Sequence, residues 1–220
     1  MVVRRKMREQ ATLIKFGKYE HICQLRDEGL LYLNNLPYFW EIEDEELRGD
    51  PFDGVAEVRR GRNGTATPVG DTENPLKITN WVLGRHPSQP ERINIFCMCA
   101  VRPSLGSFPV EGRNFQFGDY ALVLTNPQEF IYRISSILTS QGVRHRAALV
   151  DYVDDEYTGE FGPFKKLSRF SYQSEWRLVC YDDPGEVRRL HIGSIAEISA
   201  IVPSAEVNQK IRELLTIVSN

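Results

Sequence analysis

The chain has 220 residues, 41 % of them apolar and 26 % charged, with a formal net charge of −3 at neutral pH. That length fits one domain, and no run of apolar residues is long enough to cross a bilayer as a helix. The small negative charge gives no global electrostatic footprint for nucleic acid, and four cysteines without a Cys-x-x-Cys pair or a suitably spaced histidine argue against a zinc site and for reduced thiols in a cytoplasmic protein.

Met1 to Arg8 is basic, and no apolar stretch follows to make a secretory signal, so this segment reads as a frayed end. Residues 11–16 predict a strand. Residues 19–28 predict a helix with Ile22 and Leu25 on one face and Gly29 as its stop, and residues 30–33 predict a second strand. The aromatic segment 36–40 and the acidic run Glu41, Glu43, Asp44, Glu45, Glu46, a solvated loop or helix face, lead into the turn Asp50-Pro51-Phe52-Asp53. There Phe52 reads as a hydrophobic anchor, and Asp53 either caps a backbone amide or lines a cleft.

Residues 59–92 are rich in Gly, Pro, Asn, Thr and Arg and carry little periodicity outside 78–83, which predicts a mobile insertion in a single domain spanning 1–220. Arg59-Arg60-Gly61-Arg62 lies there, and Arg144-His145-Arg146 is a second basic cluster; each is either simply solvated or a nucleic-acid contact. A core strand follows at 93–101, with Cys97 and Cys99 as small core residues. Residues 120–124 predict a strand entering the clearest helix of the chain. Asn126 is its N-cap, Pro127 its first position and Glu129 the capping-box partner; Phe130, Ile131, Ile134, Ile137 and Leu138 form one stripe, and Gly142 ends it.

Strands are predicted at 147–152, 173–179 and 198–202, with a hairpin around Asp182-Asp183-Pro184-Gly185. A last helix starts from a Ser204 cap, with Val207, Ile211, Leu214, Leu215 and Val218 on one side. Seven or eight strands and three clear helices, unevenly distributed, predict an α+β fold with a mainly antiparallel or mixed sheet and a few flanking helices. No Gly-rich phosphate loop occurs, and the scattered histidines show no nucleophile–histidine spacing.

The most informative segment is Phe170 to Val179, where polar and apolar residues alternate with a period of two. In a strand, Gln173, Glu175 and Arg177 share one face while Tyr172, Ser174, Trp176 and Leu178 share the other. An amide, a carboxylate and a guanidinium in a row suit a polar ligand; the alternative is a solvated face with a weak ion pair.

Three pieces in order, Leu30-Leu31-Tyr32-Leu33, Asp50-Pro51-Phe52-Asp53 and Ser174-Glu175-Trp176-Arg177-Leu178, resemble an uncharacterised bacterial and phage family with an Asn-Asp-Pro-Phe-acid motif and a later Glu-x-Glu-Trp-Arg motif. Here Gly49 stands in place of the asparagine and Gln173 in place of the first glutamate. More remotely, the layout resembles the ADP-ribosyltransferase-like fold, whose late strand carries a Gln-x-Glu or Glu-x-Glu pair. That resemblance implies catalytic roles for Glu175, on the nicotinamide-side ribose, and Gln173, on the acceptor, with NAD as substrate. It places Lys15 and Phe16 on the first strand, where such enzymes carry Arg or His, and adds Arg177, Tyr32 and Tyr38 to the cofactor-binding set, the tyrosines stacking on a ring or sitting half-buried in the core. A Ser-Thr-Ser segment is missing.

The implied protein is a cytoplasmic NAD-dependent ADP-ribosyltransferase-like enzyme without a metal or membrane partner. It would modify a protein or RNA as a toxin or phage-defence effector, restrained by an inhibitory antitoxin. A non-catalytic binding module on the same fold is the alternative, and a metal-dependent nuclease using Glu175 and Asp53 is a third. On the strand-face picture, Glu175→Gln removes activity with little loss of folding.

Overall fold

The computed structural model describes residues 12–41, 50–67, 69–70, 73–102 and 107–219, with side chains as far as 214. The basic segment 1–8 and the acidic residues 43–46 lie outside the described residues. The chain opens as β1 (Thr12–Gly17), α1 (Tyr19–Asp27), β2 (Leu30–Asn35) and the short α2 (Leu36–Trp40). Then come β3 (Glu57–Ala66), β4 (Leu76–Arg85), β5 (Asn94–Val101), β6 (Tyr120–Leu124) and α3 (Pro127–Ser140). The remainder is β7 (His145–Leu149), β8 (Asp151–Val153), β9 (Gly159–Glu160), β10 (Lys165–Leu167), β11 (Glu175–Cys180), β12 (Arg188–His191), β13 (Ser199–Pro203) and α4 (Val207–Ser219).

The main sheet runs β12-β2-β5-β1-β6-β13, with β11 also on β5 and β7 on β11, and all its pairings are antiparallel. Two small sheets, the antiparallel β4-β3-β9 and the parallel pair β10-β8, complete a mixed α+β fold with mostly antiparallel sheets and few helices. α3 begins as its sequence dictates: Asn126 Oδ1 accepts the Glu129 N–H at 3.2 Å, and Phe130, Ile134 and Leu138 turn inward. With Ile22 and Leu25 of α1 they cover the sheet face that carries Phe96, Met98, Trp176 and Leu178. On the opposite face Val207 and Ile211 of α4 pack under Ile14, Phe16 and Val123.

The strand that organises the site is β5. One of its edges is paired with β11 throughout, from Glu175↔Cys99 to Cys180↔Asn94. Two strands share the other edge: β1 takes the C-terminal end, up to Ile14↔Cys99, and β2 takes the N-terminal end at Asn34↔Ile95 and Asn35↔Asn94. β1 then continues on β6 alone as far as Gly17↔Tyr120, and Leu30–Leu33 of β2 lies on β12 alone. The sheet therefore forks, and the backbone of residues 96–98 faces the gap between its two wings. Close packing pins both wings. A Cβ on Gly118 would stand 2.4 Å from the Gly17 backbone, so only glycine lets the chain entering β6 approach the end of β1. On the other wing, Asn94 Nδ2 donates to Leu33 O at 2.8 Å and to Glu186 O at 2.7 Å.

Three expectations are corrected, and residues 59–92 hold more regular structure than their pattern suggests: much of the segment is a ribbon, β3 on β4 from Glu57↔Arg85 to Ala66↔Leu76. Most of its side chains on both faces are exposed or only half-buried, so no apolar alternation was required, and Gly61 is there because Trp81 lies across it, 2.3 Å from where a Cβ would sit. Residues 182–185 do not close a hairpin: β12 pairs with β2, two strands away from β11. The strand expected at 147–152 is broken after Leu149, and β8 pairs in parallel with β10. Ser204 does not cap the last helix, because its hydroxyl donates to Gly118 O.

Gly118→Ala is expected to lower Tm by roughly 3–10 °C, the cost of overpacking against backbone that has no room to give. Gly112→Ala, where a Cβ meets nothing within 4 Å, should leave Tm unchanged. Equal melting temperatures for the two variants in differential scanning fluorimetry would remove the close approach as the constraint on the fork.

Candidate active site

The site begins at the Asp50-Pro51-Phe52-Asp53 turn. Asp50 Oδ1 accepts the Phe52 N–H at 2.9 Å, and the Asp53 N–H donates to Asp50 O at 3.0 Å, which closes the turn. Phe52 packs against a cluster around Val55 and Val58, and Trp40 Nε1 donates to Asp53 O at 2.7 Å. Asp50 is thus the residue that caps an amide. The Asp53 side chain is left to cross the interior and accept Arg177 in a two-pronged bond, Nη1 to Oδ1 at 2.6 Å and Nη2 to Oδ2 at 2.8 Å.

On β11, Arg177 stands directly across from Cys97 and Glu175 across from Cys99, so both side chains leave the same face of the sheet. Arg177 Nε donates to Glu175 Oε2 at 2.7 Å, and Nη1 also donates to Pro163 O at 2.8 Å. Lys166, from β10, donates to Glu175 Oε1 at 2.7 Å and to Gln173 Oε1 at 2.6 Å, and its Nζ lies 3.5 Å from Asp53 Oδ2. Gln173 is not on the strand. It ends a 3₁₀ turn, Ser168–Gln173, and Ser174 at φ 43° breaks the pleat before β11 starts at Glu175. The Ser174 hydroxyl holds that break by donating to Ala100 O at 2.7 Å.

Asp53, Lys166, Glu175 and Arg177 form a closed charge quartet with two acids and two bases. Exposures of 4 %, 4 %, 8 % and 1 % decide against a solvated strand face with a weak ion pair. Burial alone would raise the Glu175 pKa, but Arg177 and Lys166 outweigh it and hold the carboxyl well below the usual range. Burial likewise opposes the charge on Lys166, and Glu175 and Asp53 reverse it. Its two cation partners thus hold Glu175 in the ionised form. Cys97, across from Arg177, is no nucleophile: burial first, then Glu175, push its thiol up to about 12.

A third acid, Asp50, stands beside the quartet. Burial, reinforced by the charge of Asp53, pushes Asp50 from an ordinary 3.8 up to about 6. Its Oδ2 is buried with no hydrogen-bond partner among the described residues.

The fork opens into a cavity of about 550 Å³, within the range of small-molecule sites. Lys15, Phe16, Tyr32, Tyr38, Gln173, Glu175 and Arg177, all singled out from sequence, line it together. Tyr32 and Tyr38 are 43 % and 45 % exposed, so their rings are open to a ligand rather than half-buried in the core. Lys15 also reaches backbone: its Nζ donates to Cys97 O at 2.8 Å and sits 4.6 Å from the Phe96 ring, so the ammonium engages a carbonyl that the fork leaves without a strand partner.

Sequence reasoning missed Lys166, Asn34 and His21, which also line the cavity. The doublet Lys165-Lys166 carries no periodic or motif signal, and only the chain crossing at β10 gives it meaning. Neither basic cluster lines this cavity: Arg59 pairs with Glu57, and Arg144 pairs with Asp182. Among the described residues no three His, Cys, Asp or Glu side chains are grouped to hold a metal, and no helix is long and apolar enough to span a membrane. Comparison with protein-family models, curated proteins and solved structures finds no match.

Burial overturns the expectation that Glu175→Gln leaves folding intact. Removing one charge leaves Lys166 and Arg177 facing Asp53 alone, at a cost of about 3 kcal/mol, read as a lowered urea midpoint. Asp50 works in the opposite sense. Its raised pKa means that the folded state binds more protons than the unfolded state between about pH 4 and 6, so stability is lost as pH rises through that window. Asp50→Asn is expected to stabilise the protein at pH 7.5 by up to about 3 kcal/mol, with the gain vanishing below pH 4. A gain independent of pH would show that Asp50 does not titrate as described.

Proposed function

We propose that the protein is an NAD-dependent ADP-ribosyltransferase-like enzyme, with an ADP-ribosyltransferase-like arrangement of its forked sheet, acting on a macromolecule. One observation carries the reading: Gln173 and Glu175, the pair that the resemblance marks as catalytic, converge with Phe16, Tyr32 and Tyr38 in one cavity at the fork. The reaction breaks the C1′–N bond of the nicotinamide riboside, and the electron pair leaves with neutral nicotinamide. A hydroxyl or amine of the acceptor then attacks C1′ and gives up its proton to solvent water. Each Glu175 oxygen holds one cation and keeps lone-pair capacity to accept a ribose hydroxyl, which fixes the sugar while positive charge grows on it.

Lys166 and Arg177 already neutralise the carboxylate in part. Its contribution is therefore placement of the ribose hydroxyl more than bare negative charge, and Gln173, tethered through Lys166, is set to orient the acceptor. The toxin role and an antitoxin partner belong to this proposal through the resemblance alone.

A second reading has its own support. Because both Glu175 oxygens are engaged by cations, the quartet also fits a non-catalytic binding module whose cleft holds a ligand without turning it over.

Two measurements separate the readings. NAD at a hundred times its Kd stabilises a protein that binds it by about 2.7 kcal/mol, which raises Tm by roughly 5–10 °C. Release of free nicotinamide in the presence of cell extract is then followed by chromatography. A shift with release supports the enzyme, a shift without release supports a module that holds NAD unchanged, and neither effect contradicts the enzyme and leaves only a module whose ligand is not NAD. If the enzyme reading holds, Glu175→Gln should slow nicotinamide release by at least about a hundredfold at a temperature where the variant is still folded.

A further inference from the structure

The reaction proposed above uses Glu175 and Gln173 at the buried end of the cavity and gives no task to the basic groups at its exposed end. Two carboxylates, Asp53 and Glu175, line the cavity, against four basic groups, Lys15, Lys18, Lys166 and Arg177, together with the imidazole of His21. The chain as a whole carries −3, so an excess of two positive charges in one concavity runs against its overall balance. Lys166 and Arg177 are engaged by the two acids, and Lys15 Nζ donates to Cys97 O. Lys18 and His21 differ from these three: both are exposed, and neither side chain has an ion pair or hydrogen bond among the described residues. Glu20, the acid between them in sequence, does not line the cavity. A concave site that holds uncompensated cations raises the local concentration of anions.

We propose that Lys18 and His21 form an anion subsite at the mouth of the cavity and hold the diphosphate of a nucleotide whose ribose lies deeper, against Glu175. The preference for an anion follows from the charge of the cavity alone; its assignment to a diphosphate rests on the dinucleotide reading above. The register of the sheet sets the spacing. Glu175 and Ile14 flank Cys99 on opposite edges of β5, so they stand at one level, and Lys18 comes four residues after Ile14. At about 3.3 Å per residue, Lys18 lies roughly 13 Å further out along β1, beyond the reach of a ribose alone and in range of phosphates attached to its 5′ carbon. His21 follows Lys18 at i+3 and lines the same cavity. A lysine ammonium brings three donors on a flexible stem and the imidazole brings a ring N–H, which together meet several oxygens of a diphosphate. On the opposite wing Arg189 holds its guanidinium 5.6 Å from the centre of the Tyr32 ring, a third positive group beside the mouth. The cation that the resemblance places on β1 is Lys15, whereas the basic groups without partners stand at the start of α1.

The test titrates the full-length protein with ADP and with adenosine in a calorimeter at low ionic strength. ADP should bind at least about tenfold more tightly than adenosine, the difference should shrink as salt is added, and inorganic pyrophosphate should compete with ADP. Lys18→Ala combined with His21→Ala should erase the preference for ADP, while Lys77→Ala, which removes one positive charge outside the cavity, should leave it intact. Both altered side chains are exposed, so the double variant should melt with the unsubstituted protein; Lys18→Gln alone decides the matter if it does not. None of these probes contains nicotinamide, so the result does not depend on whether NAD is cleaved. If it is cleaved, the double variant should raise KM for NAD while kcat stays within about twofold, because the subsite binds ground state and transition state alike. ADP that binds no more tightly than adenosine, or a preference that survives loss of both side chains, overturns the subsite even where nicotinamide is released. A preference that disappears with Lys18 and His21 upholds it even where no release occurs.

Discussion

The buried guanidinium of Arg177 is the constraint on which the rest of the structure depends. It is 1 % exposed, and it ties three parts of the chain to one point of β11: the Asp53 turn, Glu175 on its own strand and the Pro163 carbonyl. A charge that far from water costs several kcal/mol unless its donors are satisfied, and here they are met by two carboxylates and a carbonyl. The turn around Asp53 and the strand around Lys166 are irregular segments with little apolar periodicity of their own. They are positioned because the cation requires its partners, and their small apolar cluster then closes over the sheet.

The fork supplies the space beside this network. Had β1 and β2 both followed β5 to its middle, residues 96–98 would be covered and the quartet would face packed side chains. Instead the two wings diverge onto β6 and β12, and Lys15 bridges to the Cys97 carbonyl between them. Network and fork need each other: the fork without the quartet would be an apolar slot, and the quartet without the fork would be only a structural plug. Their combination is what makes a ligand-binding reading physically reasonable, and the quartet holds Glu175 in the ionised form.

How far the sequence revealed this depends on the kind of force involved. Elements with one apolar face were legible: β1, α1, β2, β5 with its apolar run after Asn94, and α3 with its Asn126 cap all follow from burial and capping rules that act over a few residues. The ribbon was not, since neither face is buried and its glycines serve a tryptophan across the strand. Gln173 and Glu175 were legible as a pair but not as a geometry. Ser174 adopts a left-handed conformation that serine seldom signals, and Gln173 returns to the site through a side-chain bond instead of the pleat. Asp53 carried a turn signature whose second meaning appears only when residue 177 arrives from 124 positions away. Lys166 was invisible for the same reason, because long-range ion pairs leave no local pattern.

In the proposed enzyme, the forked cavity receives the nicotinamide half of a dinucleotide against Glu175. A crystal structure of the protein with a non-cleavable NAD analogue shows whether it does. A nicotinamide-side ribose hydroxyl is expected within hydrogen-bond distance of the Glu175 carboxylate, with the charge quartet intact beneath it. An analogue bound elsewhere on the molecule, or an empty cavity at saturating concentration, would contradict it.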